Sequence, residues 1–177
     1  MYGGCHGLEI EGAGLRFRHP RVRASRIAAA RRALAAGAAS IAGAHVEWKG
    51  LVVSPHYRRV ATARRDDVQD LAARVARRAP GLATIPGREV FDFVPRVRWD
   101  KGRAALWIAR RLEVAMGPGG LLALYAGDDA TDETAFAALR ARGVTVRVGP
   151  GPSAAEYRVR GVGEIHSLLR WITRRLG

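Results

Sequence analysis

The first half of the chain carries short stretches in which apolar and polar residues alternate, the pattern of strands with one covered face. Two longer stretches predict helices: 24–36 by its helix-forming residues, with an end at Gly37, and 66–78 by apolar residues at helical spacing. Gly12-Ala13-Gly14 and Pro86-Gly87 are typical of turns between paired strands. This half is therefore predicted to be α+β. The predicted strands cover 8–11, 15–17, 45–49, 51–58, 82–85 and 89–94.

The pattern changes at Trp99 to helices that alternate with apolar runs. Asp100 is a suitable N-cap for a helix reaching about residue 114, and the continuous apolar run 121–126 predicts a strand buried on both faces. A helix to about residue 140, a strand at 144–148 and a final helix follow. Alternation of this kind indicates an α/β unit with a parallel sheet. The final helix carries one apolar stripe: Ile165, Leu168, Leu169, Ile172 and Leu176.

Side-chain alternation also predicts which polar residues of the first half share a sheet face. On one strand these are His45, Glu47 and Lys49, and on the next they are Ser54, His56 and Arg58.

Composition excludes several classes of protein. The 177 residues have 48% apolar content, room for one domain or slightly more, and a single cysteine, Cys5, so that no intrachain disulfide or cysteine metal site can form. The net charge of +14 comes from arginines scattered through alanine-rich stretches, so we do not expect a nucleic-acid interface. No apolar run approaches a membrane span and no signal peptide is visible, so a cytoplasmic protein is expected.

The segment Gly127-Asp128-Asp129-Ala130-Thr131-Asp132-Glu133 gathers four acids in a basic chain, directly after a predicted strand. Such a strand-to-helix junction is where ligands bind to parallel α/β sheets. Helix capping would account for one or two of these acids. A hard divalent cation, Mg²⁺ above all, would offset the repulsion among the rest. Both interpretations remain open from spacing alone.

Lys101 is the second unusual feature, because the chain has only two lysines, Lys49 and Lys101, among many arginines. Lys101 stands in the first turn of its predicted helix, where the helix dipole disfavours a cation. An ammonium beside a helix N-terminus is suited to bind an anion such as phosphate. Acids that hold Mg²⁺ beside such a lysine would make a phosphoryl-transfer site.

Together these motifs resemble the trehalose-6-phosphate phosphatases, a family of haloacid-dehalogenase (HAD)-type phosphatases. The resemblance implies a partial HAD-like, Rossmann-type core with an inserted α+β cap: residues 1–7 as a remnant of the core, 8–96 as the cap and 97–177 as the C-terminal part of the core. It also implies Mg²⁺-dependent hydrolysis of trehalose 6-phosphate to trehalose and phosphate. The matching segments are GGCHGLEI, VEWKG at 46–50, HYRRV at 56–60, VFDFVPRVRWDKG at 90–102, LYAGDDATDETAF at 124–136 and YRVRGVGEIHSLL at 157–169.

The resemblance assigns a role to each candidate residue of the core. Lys101 would steady the phosphoryl group, Asp128 would bind Mg²⁺ directly, Asp129 would support the metal through water, and Asp132 would order the loop.

In the cap, Glu47, Lys49 and Arg58 would contact the sugar, together with Asp92, which stands where the family usually has glutamate. Val94 stands where the family usually has a basic residue, and both departures bear on which sugar is bound. Glu47 and Lys49 could instead form only an exposed ion pair.

One family motif is absent. The family opens with Asp-x-Asp-Gly-Thr, whose first aspartate is the nucleophile, and no Asp-x-Asp occurs in this sequence. We therefore expect a chain that is N-terminally truncated relative to its family and of doubtful activity alone. The alternatives are a non-catalytic sugar-phosphate-binding or regulatory remnant, and a phosphatase of another sugar phosphate.

Overall fold

The structure is a computed structural model that describes residues 2–117 and 119–176. It divides into two compact units. Unit 1 combines Met1–Leu15 with Trp99–Gly177, and unit 2 is Arg16–Arg98. Residues 8–15, which the sequence placed in the cap, thus group with unit 1. No helix in the described part of the chain has the length and apolar character needed to cross a bilayer.

Ten strands and five helices are found among the described residues, with single 3₁₀ turns at Cys5–Gly7, Thr62–Arg64 and Ala130–Asp132. The strands are β1 (Tyr2–Gly4), β2 (Glu9–Gly12), β3 (Leu15–Arg18), β4 (His45–Trp48), β5 (Val53–His56), β6 (Leu82–Gly87), β7 (Val90–Pro95), β8 (Ala123–Gly127), β9 (Gly143–Val148) and β10 (Tyr157–Val159). The helices are α1 (Ala24–Ala38), α2 (Arg65–Arg78), α3 (Lys101–Met116), α4 (Glu133–Leu139) and α5 (Val162–Leu176).

Unit 2 is a four-stranded antiparallel sheet, in the order β4-β5-β7-β6, with two helices packed against it. Helix α1 buries Ile27 and Leu34, because these residues recur on one side of the helix. The inward stripe expected for α2 is confirmed. Its buried residues are Val68, Leu71, Ala72 and Val75.

Two local predictions in unit 2 are wrong. Helix α1 runs through Gly37 instead of ending there, and a Cβ at Gly37 would lie 2.3 Å from Leu71 Cδ1. This glycine therefore permits α1 and α2 to approach closely. Pro86 and Gly87 lie within β6, and the chain reverses after them, where Glu89 has a φ of 59°.

Unit 1 contains a three-stranded parallel sheet in the order β10-β9-β8, with α3 packed against α4. The predicted N-cap of α3 is confirmed, because Arg103 N donates to Asp100 Oδ1 at 2.8 Å. Gly102 lies at the contact between the two helices, where a Cβ would stand 2.3 Å from Thr134 O. The start of α3 is thereby held against the segment that follows β8.

The structure contradicts the prediction that the strand after α3 is buried on both faces. Among the described residues β8 is the edge strand of its sheet, and Leu122 and Leu124 are 75% and 37% exposed. A strand formed by an apolar run is buried on both faces only when helices or other strands pack against both faces. β10 was not predicted, since its three residues are too few to show a period.

The two chain segments of unit 1 are joined directly. Trp99 Nε1 donates to Gly7 O at 2.7 Å. Gly7 has a φ of 80°, and a Cβ there would lie 2.3 Å from Ala104 Cβ, so a glycine is needed for both conformation and space. The antiparallel pair of β1 and β2 is attached to α3 through this contact.

Candidate functional site

The loop that follows β8 brings two distant motifs together. Lys101 Nζ lies 2.7 Å from Asp132 Oδ1, and the Asp132 side chain is only 6% exposed. A buried carboxylate requires such a partner, because desolvation penalises an unpaired charge. The lysine of α3 and the acidic segment after β8 therefore form one cluster, at the carboxyl end of a parallel strand.

Asp132 is the centre of this cluster. Tyr125 OH donates to Oδ1 at 2.8 Å, and the backbone N–H of Asp129 donates to Oδ2 at 2.9 Å. Burial by itself would raise the pKa of Asp132, but the hydrogen bonds from Lys101, Asp129 and Tyr125 outweigh it and hold the pKa below its ordinary value. Burial, together with the hydrogen bond to Asp132, raises the pKa of the Tyr125 hydroxyl. Asp132 is thus an anion and Tyr125 a neutral donor near neutral pH.

The first turn after the strand is capped by Asp129. Its Oδ1 accepts from Ala130 N at 2.6 Å, and with Asp132 it forms a reciprocal capping box. Gly127 makes the arrangement possible, because a Cβ there would lie 2.3 Å from Asp132 Cγ. The capping interpretation of the acidic segment is therefore correct for Asp129 and Asp132.

Glu133 is bound by the loop after β9. Its Oε1 accepts from Ser153 Oγ at 2.8 Å and its Oε2 from Ala154 N at 2.7 Å. Arg147 adds an ion pair at 3.6 Å and also donates to Asp129 O at 3.2 Å. Sequence reasoning did not single out Tyr125, Arg147 or Ser153, because their roles depend on contacts across the sheet that no local pattern carries.

Asp128 differs from the other three acids. It is exposed, and no hydrogen bond or ion pair between described residues involves its carboxylate. Carboxylate oxygens are the ligands that Mg²⁺ prefers, so the chemistry of this loop suits the ion. Within the described residues, however, no group of three or more His, Cys, Asp or Glu side chains could hold a metal. The described residues thus offer part of a magnesium site, and ligation by Asp128 and Asp129 stays a prediction.

Unit 2 carries a second polar cluster, on the face of its sheet formed by alternate residues of β4 and β5. Glu47 Oε2 lies 3.0 Å from Lys49 Nζ and 3.0 Å from His56 Nε2. The hydrogen bond from Lys49 is the main cause that holds the pKa of Glu47 below its ordinary value. Glu47 and His56 lie on one face of the sheet, because His45 pairs with His56 and Glu47 with Ser54.

Asp92 belongs to the same face. Ser54 Oγ donates to Asp92 Oδ1 at 2.6 Å. Val53 pairs with Phe93 and His56 with Val90, so Ser54 lies level with Asp92. Ser54 therefore connects the predicted sugar-binding residues of β4 and β7. The sequence placed it on this face but did not name it as a site residue.

Arg58 makes different contacts. Its Nε lies 3.2 Å from Glu89 Oε2, and Arg65 pairs with the other oxygen of Glu89 at 2.8 Å. The structure thus brings Glu47 and Lys49 together and connects Asp92 to their strand pair through Ser54, while Arg58 pairs with the turn before β7. Lys101, Asp129 and Asp132 form the separate cluster of unit 1, and Asp128 adjoins it in sequence only.

Sequence comparison identifies the relatives of this chain. The trehalose-phosphatase family profile matches residues 1–162. Trehalose 6-phosphate phosphatase RA3 of Zea mays is 31% identical over 195 residues, which cover 99% of this chain and 54% of the maize protein. An uncharacterized glycosyl hydrolase of Mycobacterium tuberculosis is 40% identical over 167 residues, which cover 88% of this chain and 12% of that protein. The chain therefore spans about half or less of the length of these relatives.

Solved structures share the fold. A trehalose-6-phosphate phosphatase related protein superposes with a TM-score of 0.74 at 23% identity, covering 94% of this chain and 69% of that one. A sugar phosphatase of HAD subclass IIB superposes with a TM-score of 0.53 at 12% identity, covering 95% and 74%. The predicted α/β, HAD-like fold class is confirmed. With the family match along most of its length, the chain belongs to the trehalose-phosphatase family.

Proposed function

We propose that the chain provides the phosphoryl-holding and sugar-binding residues of a Mg²⁺-dependent trehalose-6-phosphate phosphatase. The observation that supports this most directly is the 2.7 Å contact between Lys101 Nζ and Asp132 Oδ1. It joins two motifs separated in sequence at the position where parallel α/β sheets bind their ligands.

In this proposal Lys101 neutralises charge on the phosphoryl oxygens. One proton of its ammonium group points to Asp132, which leaves two for oxygens of the substrate. Asp132 acts through Lys101, since its bonds to Tyr125 and Asp129 fix the carboxylate that orients the ammonium. A preorganised donor of this kind stabilises developing charge without moving during the reaction.

Asp128 is the residue we assign to magnesium, because the other three acids of the loop are engaged by protein groups. Mg²⁺ bound there with water and further ligands would supply positive charge to the phosphoryl group. Asp129 would support the ion through water, as its carboxylate already caps the turn.

The polar face of unit 2 supports sugar binding. Glu47, Lys49 and Asp92 present carboxylates and an ammonium on one sheet face, where hydroxyl groups of a sugar find both acceptors and donors. Arg58 would reach the sugar only by leaving Glu89, so we assign it a smaller part.

The 177 residues contain no Asp-x-Asp, so the nucleophilic aspartate of the proposed reaction is not among them. The test compares the chain as given with the same chain preceded by a family segment that contains Asp-x-Asp-Gly-Thr. Phosphate release from trehalose 6-phosphate with Mg²⁺ is measured for both. We expect release only from the joined chain, and release by the chain as given would contradict this account.

Variants of the joined chain test the assigned residues. Lys101→Met should lower kcat by about two to three orders of magnitude, as loss of a charge-stabilising donor does. Asp128→Asn should weaken magnesium uptake in calorimetry. Arg103→Met and Asp67→Asn are the matched controls, since both side chains lie on the surface. Unchanged kcat in Lys101→Met, or unchanged uptake in Asp128→Asn, would exclude the assigned role.

Binding of a sugar phosphate without hydrolysis is the second candidate, and the absence of Asp-x-Asp favours it for the chain as given. It predicts saturable binding of trehalose 6-phosphate in calorimetry with no phosphate release. A panel of sugar phosphates, which includes sucrose 6-phosphate and glucose 6-phosphate, distinguishes the trehalose compound from other sugars in either case.

A further inference from the structure

Arginines that are scattered in the sequence gather on one side of unit 2. Six exposed arginines line two neighbouring cavities of about 480 and 520 Å³, which share Arg26, Pro80 and Gly81. The first cavity lies between α1 and α2, and the second lies beside the start of β6 and the end of β7. Because they share three residues, we name the two cavities together the arginine groove. Its arginines are Arg21, Arg23, Arg26, Arg74, Arg78 and Arg96.

The positive charge of the arginine groove is not balanced within unit 2. In the described part of the chain, no Asp or Glu lines either cavity, and none of the six arginines forms an ion pair. Arg96 instead donates from Nε and Nη2 to Leu82 O, at 3.4 and 3.3 Å. Arg23 donates to Pro20 O at 3.1 Å. Like charges on one surface repel, so an anionic ligand would turn this repulsion into attraction.

Two of the guanidinium groups are positioned by the backbone. A Cβ at Gly81 would lie 2.2 Å from Arg26 Nη1, so the glycine provides the space in which this guanidinium group lies. Arg96 uses two of its five N–H groups on Leu82 O, which leaves three for a ligand. A planar guanidinium group binds a carboxylate through two parallel hydrogen bonds. The groove therefore offers oriented donors that suit carboxylates.

The floor of the arginine groove is apolar. Between the helices it consists of small side chains of α1, including Ala29 and Ala33, and of Leu71 and Val75 of α2. Ala29 and Ala33 are exposed, so an apolar side chain of a ligand would remove apolar surface from water there. The groove thus suits a ligand that carries acidic groups and apolar groups together.

We propose that the arginine groove binds an acidic peptide segment of a partner protein, with apolar side chains between α1 and α2 and carboxylates on the arginines. Apolar anchors in a groove between helices give such a segment affinity, and complementary charge gives it orientation and a fast encounter. The proposal is independent of the proposed function. All groove residues belong to unit 2, and none is assigned to phosphate, magnesium or sugar.

The lining of the groove disfavours three other occupants. Among the described lining residues no aromatic side chain offers a surface for base stacking, and the phosphates of a nucleic acid would leave the apolar floor uncovered. A small ligand is normally enclosed on most of its surface, whereas the arginines and alanines of this groove are exposed. A second copy of the chain would bring a further net charge of +14.

Titration of the whole chain with a labelled peptide tests the proposal. The probe is a fluorescent peptide of about twelve residues, with leucine at every third or fourth position and glutamate at most others. One control peptide has glutamine for every glutamate, and the other has serine for every leucine. In fluorescence anisotropy at low salt we expect saturable binding of the probe and about tenfold or more weaker binding of each control. Equal affinity of the probe and either control would overturn the proposal.

Variants of the chain show where the peptide binds, because a basic protein attracts acidic peptides at many places. Arg26→Gln should weaken binding about tenfold, whereas Arg32→Gln, an equal loss of charge on the same helix outside the groove lining, should change it about twofold or less. Ala33→Glu places a carboxylate on the groove floor and should also weaken binding about tenfold or more. Ala35→Glu is its control, since Ala35 is exposed and lies outside the lining. Equal affinity of the two variants in either pair would overturn the proposal.

Two further measurements identify a different occupant. An oligonucleotide of about twelve thymidines that binds more tightly than the peptide, and loses affinity in Arg26→Gln, would overturn the proposal in favour of a nucleic acid. Weaker oligonucleotide binding that is equal in Arg26→Gln and the parent supports the acidic peptide. A dimer in light scattering that Arg26→Gln separates, with no peptide binding, would overturn the proposal in favour of a second copy.

Discussion

Unit 2 encloses its apolar core with its own residues, whereas unit 1 leaves large apolar side chains uncovered. Phe93 and Val53 have no exposed surface, and most buried apolar residues of the described chain belong to unit 2. Its one large exposed apolar residue, Trp48, has Arg31 stacked 4.2 Å from the ring centre. The large exposed apolar residues in the described part of unit 1 are Leu15, Val114, Met116, Leu122, Leu124, Tyr157, Val162, Leu169 and Trp171.

The difference shows that apolar content does not tell whether a core is complete. α5 has an amphipathic sequence, yet none of its described side chains is buried, and among the described residues no other element packs extensively against it. What holds the end of β8 to α3 is largely polar, the network around Asp132. Unit 2 should therefore respond most to loss of apolar volume, and unit 1 to loss of charge.

The largest effect is expected from Phe93→Ala in unit 2. Removing a fully buried aromatic ring should lower the free energy of unfolding of that unit by about 3–5 kcal/mol. Leu122→Ala in unit 1 is the matched control and should change it by about 0.5 kcal/mol or less, since the side chain is mostly exposed. Urea unfolding followed by hydrogen exchange in each unit measures both. Equal losses in the free energy of unfolding for the two variants would contradict the proposed difference between the units.

Asp132→Asn should have the next largest effect, and in unit 1. The variant leaves the ammonium of Lys101 without its carboxylate, and loss of one partner of a buried pair costs about 3–5 kcal/mol. Lys101 keeps a quarter of its surface in solvent, so we expect about 2–3 kcal/mol. Hydrogen exchange in residues 123–139 reports the loss. Asp100→Asn, at the exposed cap of the same helix, is the control and should cost less.

Gly102→Ala should cost about 1–3 kcal/mol, the range for added volume at a close contact. The new Cβ would stand 2.3 Å from Thr134 O, a backbone atom that cannot rotate away, so α3 and α4 must separate. The separation would also lengthen the distance from Lys101 to Asp132. Gly163→Ala is the control, because nothing lies within 4 Å of a Cβ there. A variant as stable as the parent would show that α3 and α4 can adjust to the added Cβ without loss of stability.

The smallest effect concerns Glu47 in unit 2. Its pKa is lowered in the folded state, so it contributes stability above its ordinary value of 4.5 and loses that contribution as the pH falls through the folded value. Glu47→Gln should therefore reduce the acid sensitivity of unit 2 slightly, by about 0.2–1 kcal/mol, as for other exposed pairs. Urea unfolding at about pH 3 and pH 6 measures the difference. An unchanged pH slope would mean that the pair with Lys49 adds nothing.

Predictions from the sequence were correct where the residues of a single element determine the feature. The α2 stripe follows from helical periodicity, and the cap at Asp100 from the chemistry of a single side chain. Predictions were wrong where the feature depends on contacts with another helix or strand. Gly37 was expected to end α1, but Leu71 of another helix makes it a packing position. The run before Gly127 was expected to be buried on both faces, but in the described part of the chain no strand pairs with the outer edge of β8.

The candidate site divides in the same way. The importance of Lys101 and of the acidic segment could be predicted, because a rare lysine and four adjacent acids depart from the composition of the chain. The different contacts of the individual acids could not be predicted, since they depend on Tyr125, Arg147 and Ser153. Those partners come from two strands and a loop, whose distances in space no local pattern records.

The hydrogen bond from Trp99 to Gly7 joins two segments of unit 1 that precede and follow unit 2 in the sequence. The bond therefore fastens the first and third segments of the polypeptide directly to each other. We therefore expect the bond between Trp99 and Gly7 to persist when the chain between residues 19 and 98 changes in length.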